Sequence, residues 1–112
     1  MTIRQKQSLL VVLLAHLILE ANRRGYELTF GQYKRTEQQA NANAKKGIGI
    51  KKSLHILGLA MDINLFKNGK YMTETSDHEE LGIYWESLHP LTRWGGRFND
   101  GNHYSIEHNG VK

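Results

Sequence analysis

The sequence predicts an α+β domain built on a small antiparallel sheet, and three observations carry that expectation. The stretch LLVVLLAHLIL at 9–19 repeats its apolar positions at helical spacing, whereas residues 59–65 alternate at strand spacing. Asn68-Gly69 follows that alternation directly and is the dipeptide that closes a two-residue hairpin, so the strands beside it run antiparallel. The full order reads helix, strand, helix, hairpin, helix, strand, which suits helices gathered around an antiparallel sheet.

Each element has its own justification. Leu9, Leu10, Leu13, Leu14 and Leu17 form one helical stripe, with Gln7, Glu20 and Arg24 on more polar ground, and Gly25 supplies the stop. This is the central core helix. YELTF, Tyr26–Phe30, alternates and is rich in strand formers. A loop then leads into a short helix with Thr36 as N-cap and Gly47 as stop, followed by the flexible GIGIKKS. Along 59–65, Leu59, Met61, Ile63 and Leu65 share one face, and Ala60, Asp62 and Asn64 share the other. Lys70–Met72 returns as the hairpin partner. Ser76 or Asp77 caps a further helix running to about Leu88, with acids in its first turn and Pro90 behind it. RWGGRFNDGN is rich in turn residues, and HYSIEH makes a last short strand. The expected architecture is therefore a small sheet packed against an N-terminal core helix and two further helices.

Bulk properties narrow the function. With 112 residues the chain is expected to be one domain, 1–112, and 39% hydrophobic with 23% charged residues describes a globular protein with a core. There is no cysteine, so any metal must be held by His, Asp or Glu. A net charge of +4 favours an anionic partner. The pairs Lys45-Lys46 and Lys51-Lys52 lack interleaved aromatics, which argues against nucleic acid and for a solvated loop. Residues 9–19 are too short to span a bilayer, and EANRRG behind them is no cleavage site for a signal peptide.

Two polar clusters stand out. His55 and Asp62 lie seven residues apart around Gly58 in otherwise apolar sequence. Burying an unpaired carboxylate is expensive, so Asp62 should face a cleft or a cation, either in an ordinary hydrogen-bonded pair with His55 or as a metal ligand. The second cluster, DGNH at 100–103, places an acid three residues before a His across a Gly-Asn turn, pointing both side chains the same way. His55, Asp62 and His103 together make the three-ligand set of a catalytic zinc, with Asp100 beside it to take a proton from water.

SLHILGLAMDI resembles the Ser-x-His-x-x-Gly-x-Ala-x-Asp signature of the M15 zinc peptidases, the D-alanyl-D-alanine carboxypeptidase and dipeptidase group. WGGRFNDGNH is similar to their second signature, and GYELTFGQYKRTEQQ looks like their strand followed by Arg-Thr-x-x-Gln. Small phage endolysins that cleave L-alanyl-D-glutamate in peptidoglycan stem peptides are the nearest in appearance. The resemblance implies Zn2+ held by His55, Asp62 and His103 in a cleft on the sheet, Asp100 as general base and Arg35 as the cation that stabilises the oxyanion. It also implies Ser53 as a residue that orients a ligand. Where the family has an acid after the final His and its aromatic neighbour, this chain has Ser105, and Glu107 on the same strand face is the candidate replacement.

The expectation is a zinc metallopeptidase of the cell wall, a monomer whose partner is the peptidoglycan stem peptide. Without a signal peptide, such a lysin would accumulate in the host cytoplasm and be released to the wall by other means. A D-alanyl-D-alanine carboxypeptidase is the alternative enzyme, and a non-catalytic wall-binding or nucleic-acid-binding module the alternative of another class. The remaining polar and aromatic residues read more plainly. His16 sits at the edge of the core helix, His78 is a solvated helix-start residue, His89 ends a helix and His108 lies near the terminus. Trp85 and Trp94 are core or cleft-wall residues. Gly95-Gly96 is either a plain turn or a place where backbone comes close to substrate.

Overall fold

The computed structural model describes residues 1–33 and 54–112. The expected helix at 36–47, the two lysine pairs, Arg35 and Ser53 lie outside the described residues. Helix α1, Ile3–Arg23, begins six residues before the leucine stripe because Thr2 and Gln5 form a capping box. Gln5 N–H donates to Thr2 Oγ1 at 3.1 Å and Thr2 N–H to Gln5 Oε1 at 2.8 Å. Gly25, at φ 90°, ends the helix in the left-handed conformation that glycine adopts most readily.

The strands are β1 (Tyr26–Phe30), β2 (Ala60–Lys67), β3 (Lys70–Met72), β4 (Thr92–Trp94) and β5 (His103–Ile106). They form one antiparallel sheet in the order β1-β2-β5-β4, with β3 also paired to β2. Since β5 pairs with residues 60–62 of β2 and β3 with residues 65–67, the two lie end to end along one edge of β2. The β2–β3 hairpin turns at Asn68 and Gly69, both at positive φ, as the dipeptide requires.

Two elements depart from the sequence reading. Strand β4 overlaps the segment read as turn-rich and begins one residue ahead of it. Three residues leave too little alternation to register, and Trp85 supplies the missing cause by donating its Nε1–H to both the Arg93 carbonyl (3.0 Å) and the Ser105 carbonyl (3.2 Å). The second described helix, α2 (Glu79–Ser87), is preceded by a 3-10 turn at Thr75–His78, so neither Ser76 nor Asp77 is its cap. Instead the Asp77 carboxylate accepts from Glu74 N–H at 3.0 Å and starts the 3-10 turn.

Both helices cover one face of the sheet. Leu10, Leu13, Leu14, Leu17 and Ala21 of α1 and Leu81 and Trp85 of α2 pack on Ile63, Leu65, Tyr104 and Ile106. Ala60, Asp62, Asn64, His103 and Ser105 point the other way, as the strand period demands. Leu59, placed by alternation with the core-facing residues, instead joins Leu54 and Ala60 in a smaller cluster under the 54–58 turn. No helix among the described residues is long and apolar enough to cross a membrane.

Candidate metal centre

Asp62 and His103 are direct partners in the β2–β5 pair. Ile63 N–H donates to the Asn102 carbonyl and Ile106 N–H to the Leu59 carbonyl, both at 2.9 Å, which makes 62 and 103 a non-hydrogen-bonded pair, the register that brings side chains closest. On its other edge Asp62 is tied to the chain just after β1, with Gly31 N–H donating to its carbonyl and its own N–H donating to the Gln32 carbonyl, each at 2.7 Å. Asp62 therefore sits in the middle of the sheet with its backbone fixed from both sides.

His55 arrives from a turn rather than a strand. Leu59 N–H donates to the Leu54 carbonyl at 2.9 Å, closing the loop, and Gly58 at φ 69° makes the reversal possible. From α1, Gln7 Nε2 donates to the Leu57 carbonyl at 2.7 Å and anchors that turn to the core helix. The ring comes to rest with Nε2 3.2 Å from Asp62 Oδ1. His103 Nδ1 lies 3.7 Å from the same oxygen and 4.0 Å from Asp100 Oδ2. Among the described residues, the ligand atoms of His55, Asp62 and His103 all lie within 4.8 Å of one another.

The far nitrogen of each ring decides what the near one offers. His55 Nδ1 is 2.5 Å from the Tyr33 carbonyl, and His103 Nε2 is 3.2 Å from the main-chain oxygen of Lys112. Both oxygens only accept, so these partners assign the proton to the far nitrogen and leave a lone pair facing Asp62. The result is two lone-pair nitrogens and one carboxylate oxygen directed at a common point. Protonating both rings would set two imidazoliums, their centroids 5.3 Å apart and each nearly buried, against Asp62 in the same layer. A divalent cation satisfies all three groups at once, and a backbone carbonyl behind a ligating imidazole is the usual way its tautomer is held. The donor set fits zinc: nitrogen and oxygen ligands, three in number, with a side left open.

Asp62 shows the same electrostatics. Burial alone would raise its carboxyl, whereas protonated rings at His103 and His55 would hold it at about 2, so any positive partner the site takes up, ion or proton, favours the carboxylate. It is a carboxylate throughout the physiological range.

Asp100 is presented on a tightly braced loop. Its N–H donates to the Gly95 carbonyl at 2.8 Å, and its carbonyl accepts from His103 N–H at 3.1 Å. Trp94 Nε1–H donates to the Gly101 carbonyl at 2.8 Å. Gly95 stands against this loop, where a Cβ would lie 2.2 Å from the Asp100 carbonyl oxygen and 2.6 Å from His103 Cβ. The close approach seen at Gly95-Gly96 is to the Asp100 loop and the Trp94 ring. The carboxylate itself is half exposed, at 53%, beside the ring of His103.

Glu107 lies past the end of β5 and pairs with Arg93, Oε1 to Nε at 3.3 Å, rather than joining the cluster around His103. Ser105 is fully buried and donates to the Arg93 carbonyl at 3.4 Å. One sequence reading is overturned: His78 is not solvated but 3% exposed, with Nδ1 2.8 Å from the Tyr104 hydroxyl. The 3-10 turn rotates it inward, a rotation that helical numbering from Ser76 could not anticipate. Sequence reasoning also missed the main-chain oxygens of Tyr33 and Lys112, which carry no side-chain signal, and Phe98, whose ring meets His103 edge-on at 5.6 Å.

Neither a protein-family model nor a curated relative matches the sequence. Among solved structures, the chain is similar to the Serratia marcescens L-Ala D-Glu endopeptidase ChiX, at a TM-score of 0.69 and 18% identity, over 84% of this chain and 77% of that one. The chain thus shares its fold with an L-Ala D-Glu endopeptidase.

Proposed function

We propose that the protein is a zinc-dependent peptidoglycan peptidase that hydrolyses an amide bond of the stem peptide, the L-alanyl-D-glutamate bond. The observation that carries this reading is the convergence of the His55 and His103 lone pairs on the Asp62 carboxylate, with Asp100 Oδ2 4.0 Å from His103 on the open side. The fold shared with an L-Ala D-Glu endopeptidase supports the choice of bond.

In this reading His55, Asp62 and His103 hold the zinc. Bound there, the ion supplies a Lewis acid that makes water acidic and polarises a carbonyl. Asp100, half exposed and held by the Gly95 and Trp94 contacts, takes the proton from the attacking water and returns it to the leaving amine. Arg35 is assigned to the developing oxyanion by its place in the Arg-Thr-x-x-Gln segment. The net charge of +4 suits a substrate embedded in anionic wall polymers.

The test is digestion of purified sacculi, with mass spectrometry of the new amino termini and zinc analysis of the same protein. New D-glutamate amino termini are expected from the parent, and none from His55→Ala, which also loses its zinc. Release of free D-alanine instead would make the protein a carboxypeptidase, and intact sacculi with a zinc-loaded parent would overturn the catalytic reading.

A further inference from the structure

Beside the metal centre, where β3 and β5 meet end to end along β2, lies a polar cavity of about 200 Å³. Asp100, Gly101 and Asn102 form one wall, Asn64 and Thr75 line it further along, and His78 also borders it. The cavity shares Asp100 with the candidate site.

His78 is the unusual member. Its ring is 3% exposed, and Tyr104, its partner at Nδ1, is fully buried. Among the described residues the Tyr104 hydroxyl has no other partner, which settles the direction of this bond. If the imidazole donated from Nδ1, the phenolic proton would be stranded in the core, at a cost of about 1–3 kcal/mol. The phenol therefore donates to Nδ1, and burial of the His78 ring favours the neutral imidazole this bond needs. The ring proton then sits on Nε2, a donor for which the described residues provide no acceptor.

We infer that this cavity is a substrate subsite in which His78 Nε2–H donates to a peptide carbonyl oxygen lying beyond the scissile bond. A neutral carbonyl fits better than a carboxylate, because Asp100 and Glu74 already border the cavity and none of its lining residues is a lysine or arginine. Asn64, Asn102 and Thr75 supply the amide and hydroxyl surroundings that a peptide backbone uses. His78 is a positioning residue here: it holds substrate and takes no part in bond breaking. The inference rests on the peptidase reading and names part of its substrate site.

Two measurements test it. In the free protein, nitrogen NMR of the His78 ring should show Nε2 protonated and Nδ1 bare; the opposite tautomer overturns the inference whatever the protein hydrolyses. In kinetics on a synthetic stem peptide, His78→Phe should raise KM about tenfold, the worth of one such bond, with kcat and zinc content unchanged. His78→Gln, whose amide nitrogen falls near the position of Nε2, should restore most of the loss. Equal KM for parent and His78→Phe means the cavity holds only water and overturns the inference alone. A parent that neither binds nor cleaves the peptide overturns the peptidase reading and this use of the cavity together, and is told apart because the loss precedes any substitution. Should His78→Phe fail to fold, His78→Asn, whose amide falls near Nδ1 and leaves no donor at Nε2, makes the same KM comparison.

Discussion

The two faces of β5 are built from adjacent residues and obey different rules. Tyr104 and Ile106 point into the layer beneath α1 and α2, in one apolar cluster with Trp85, Leu81 and Leu17. His103 and Ser105 point to the opposite side, toward Asp62 and Ala60 across the pair. The first face stabilises the fold by removing apolar surface from water. The second is as buried at His103 as much of the core, at 7% exposure, yet it gathers acceptors around a point with no proton to share among them. Such an arrangement costs stability unless something positive joins it, so the strand carries its folding on one side and its chemistry on the other.

That contrast can be broken or sharpened by substitution. The largest effect should come from the site face: His103→Ala is expected to lose zinc and drop hydrolysis to background. Its metal-free urea midpoint should move far less than that of a core variant. Zinc analysis and denaturation of the apoprotein check this together, and a His103→Ala protein that unfolds as readily as a core variant would erase the distinction between the faces. Next in size, Asp100→Ala should retain zinc and lose turnover by about 10²–10⁴-fold, the range for a positioned acid or base. Equal turnover with parent would remove the proton-transfer role.

On the opposite face, Trp85→Ala should destabilise by about 3–5 kcal/mol through cavity formation and through loss of the indole hydrogen bonds to β4 and β5. Its zinc affinity should weaken only as the fold does, which titration below the melting range would show. The smallest effect concerns pH. Burial lowers the His78 imidazole from its ordinary 6.5, so the unfolded chain binds this proton more readily than the native one. Its contribution is fully present above 6.5 and declines as pH falls toward the lowered native value. The urea midpoint of the parent should accordingly fall more steeply below that pH than that of His78→Gln.

Much of the frame was legible because its causes are local. The spacing of Leu10, Leu13, Leu14 and Leu17 defines a helix stripe whatever it packs on, and Asn68-Gly69 makes a hairpin because both residues tolerate positive φ. The acid at 100 and the imidazole at 103 lie on one side of their turn for the same short-range reason. Strand β4 was not legible, since three residues carry too little alternation and the Trp85 bonds that brace them come from another element. Nor was the burial of His78, which depends on a 3-10 turn and on a phenol 26 positions away.

The sequence by itself determined the helix and hairpin, the absence of thiol ligands, and which imidazoles and carboxylates are available to hold an ion. Tertiary structure alone decided that β2 and β5 pair in the register that sets Asp62 opposite His103. It also decided that main-chain oxygens of Tyr33 and Lys112 lie behind the two rings and turn their lone pairs inward. The physical reason is that backbone carbonyls are the same at every position. Which of them meets a given imidazole is set by the packing of distant segments and leaves no mark on residue identity.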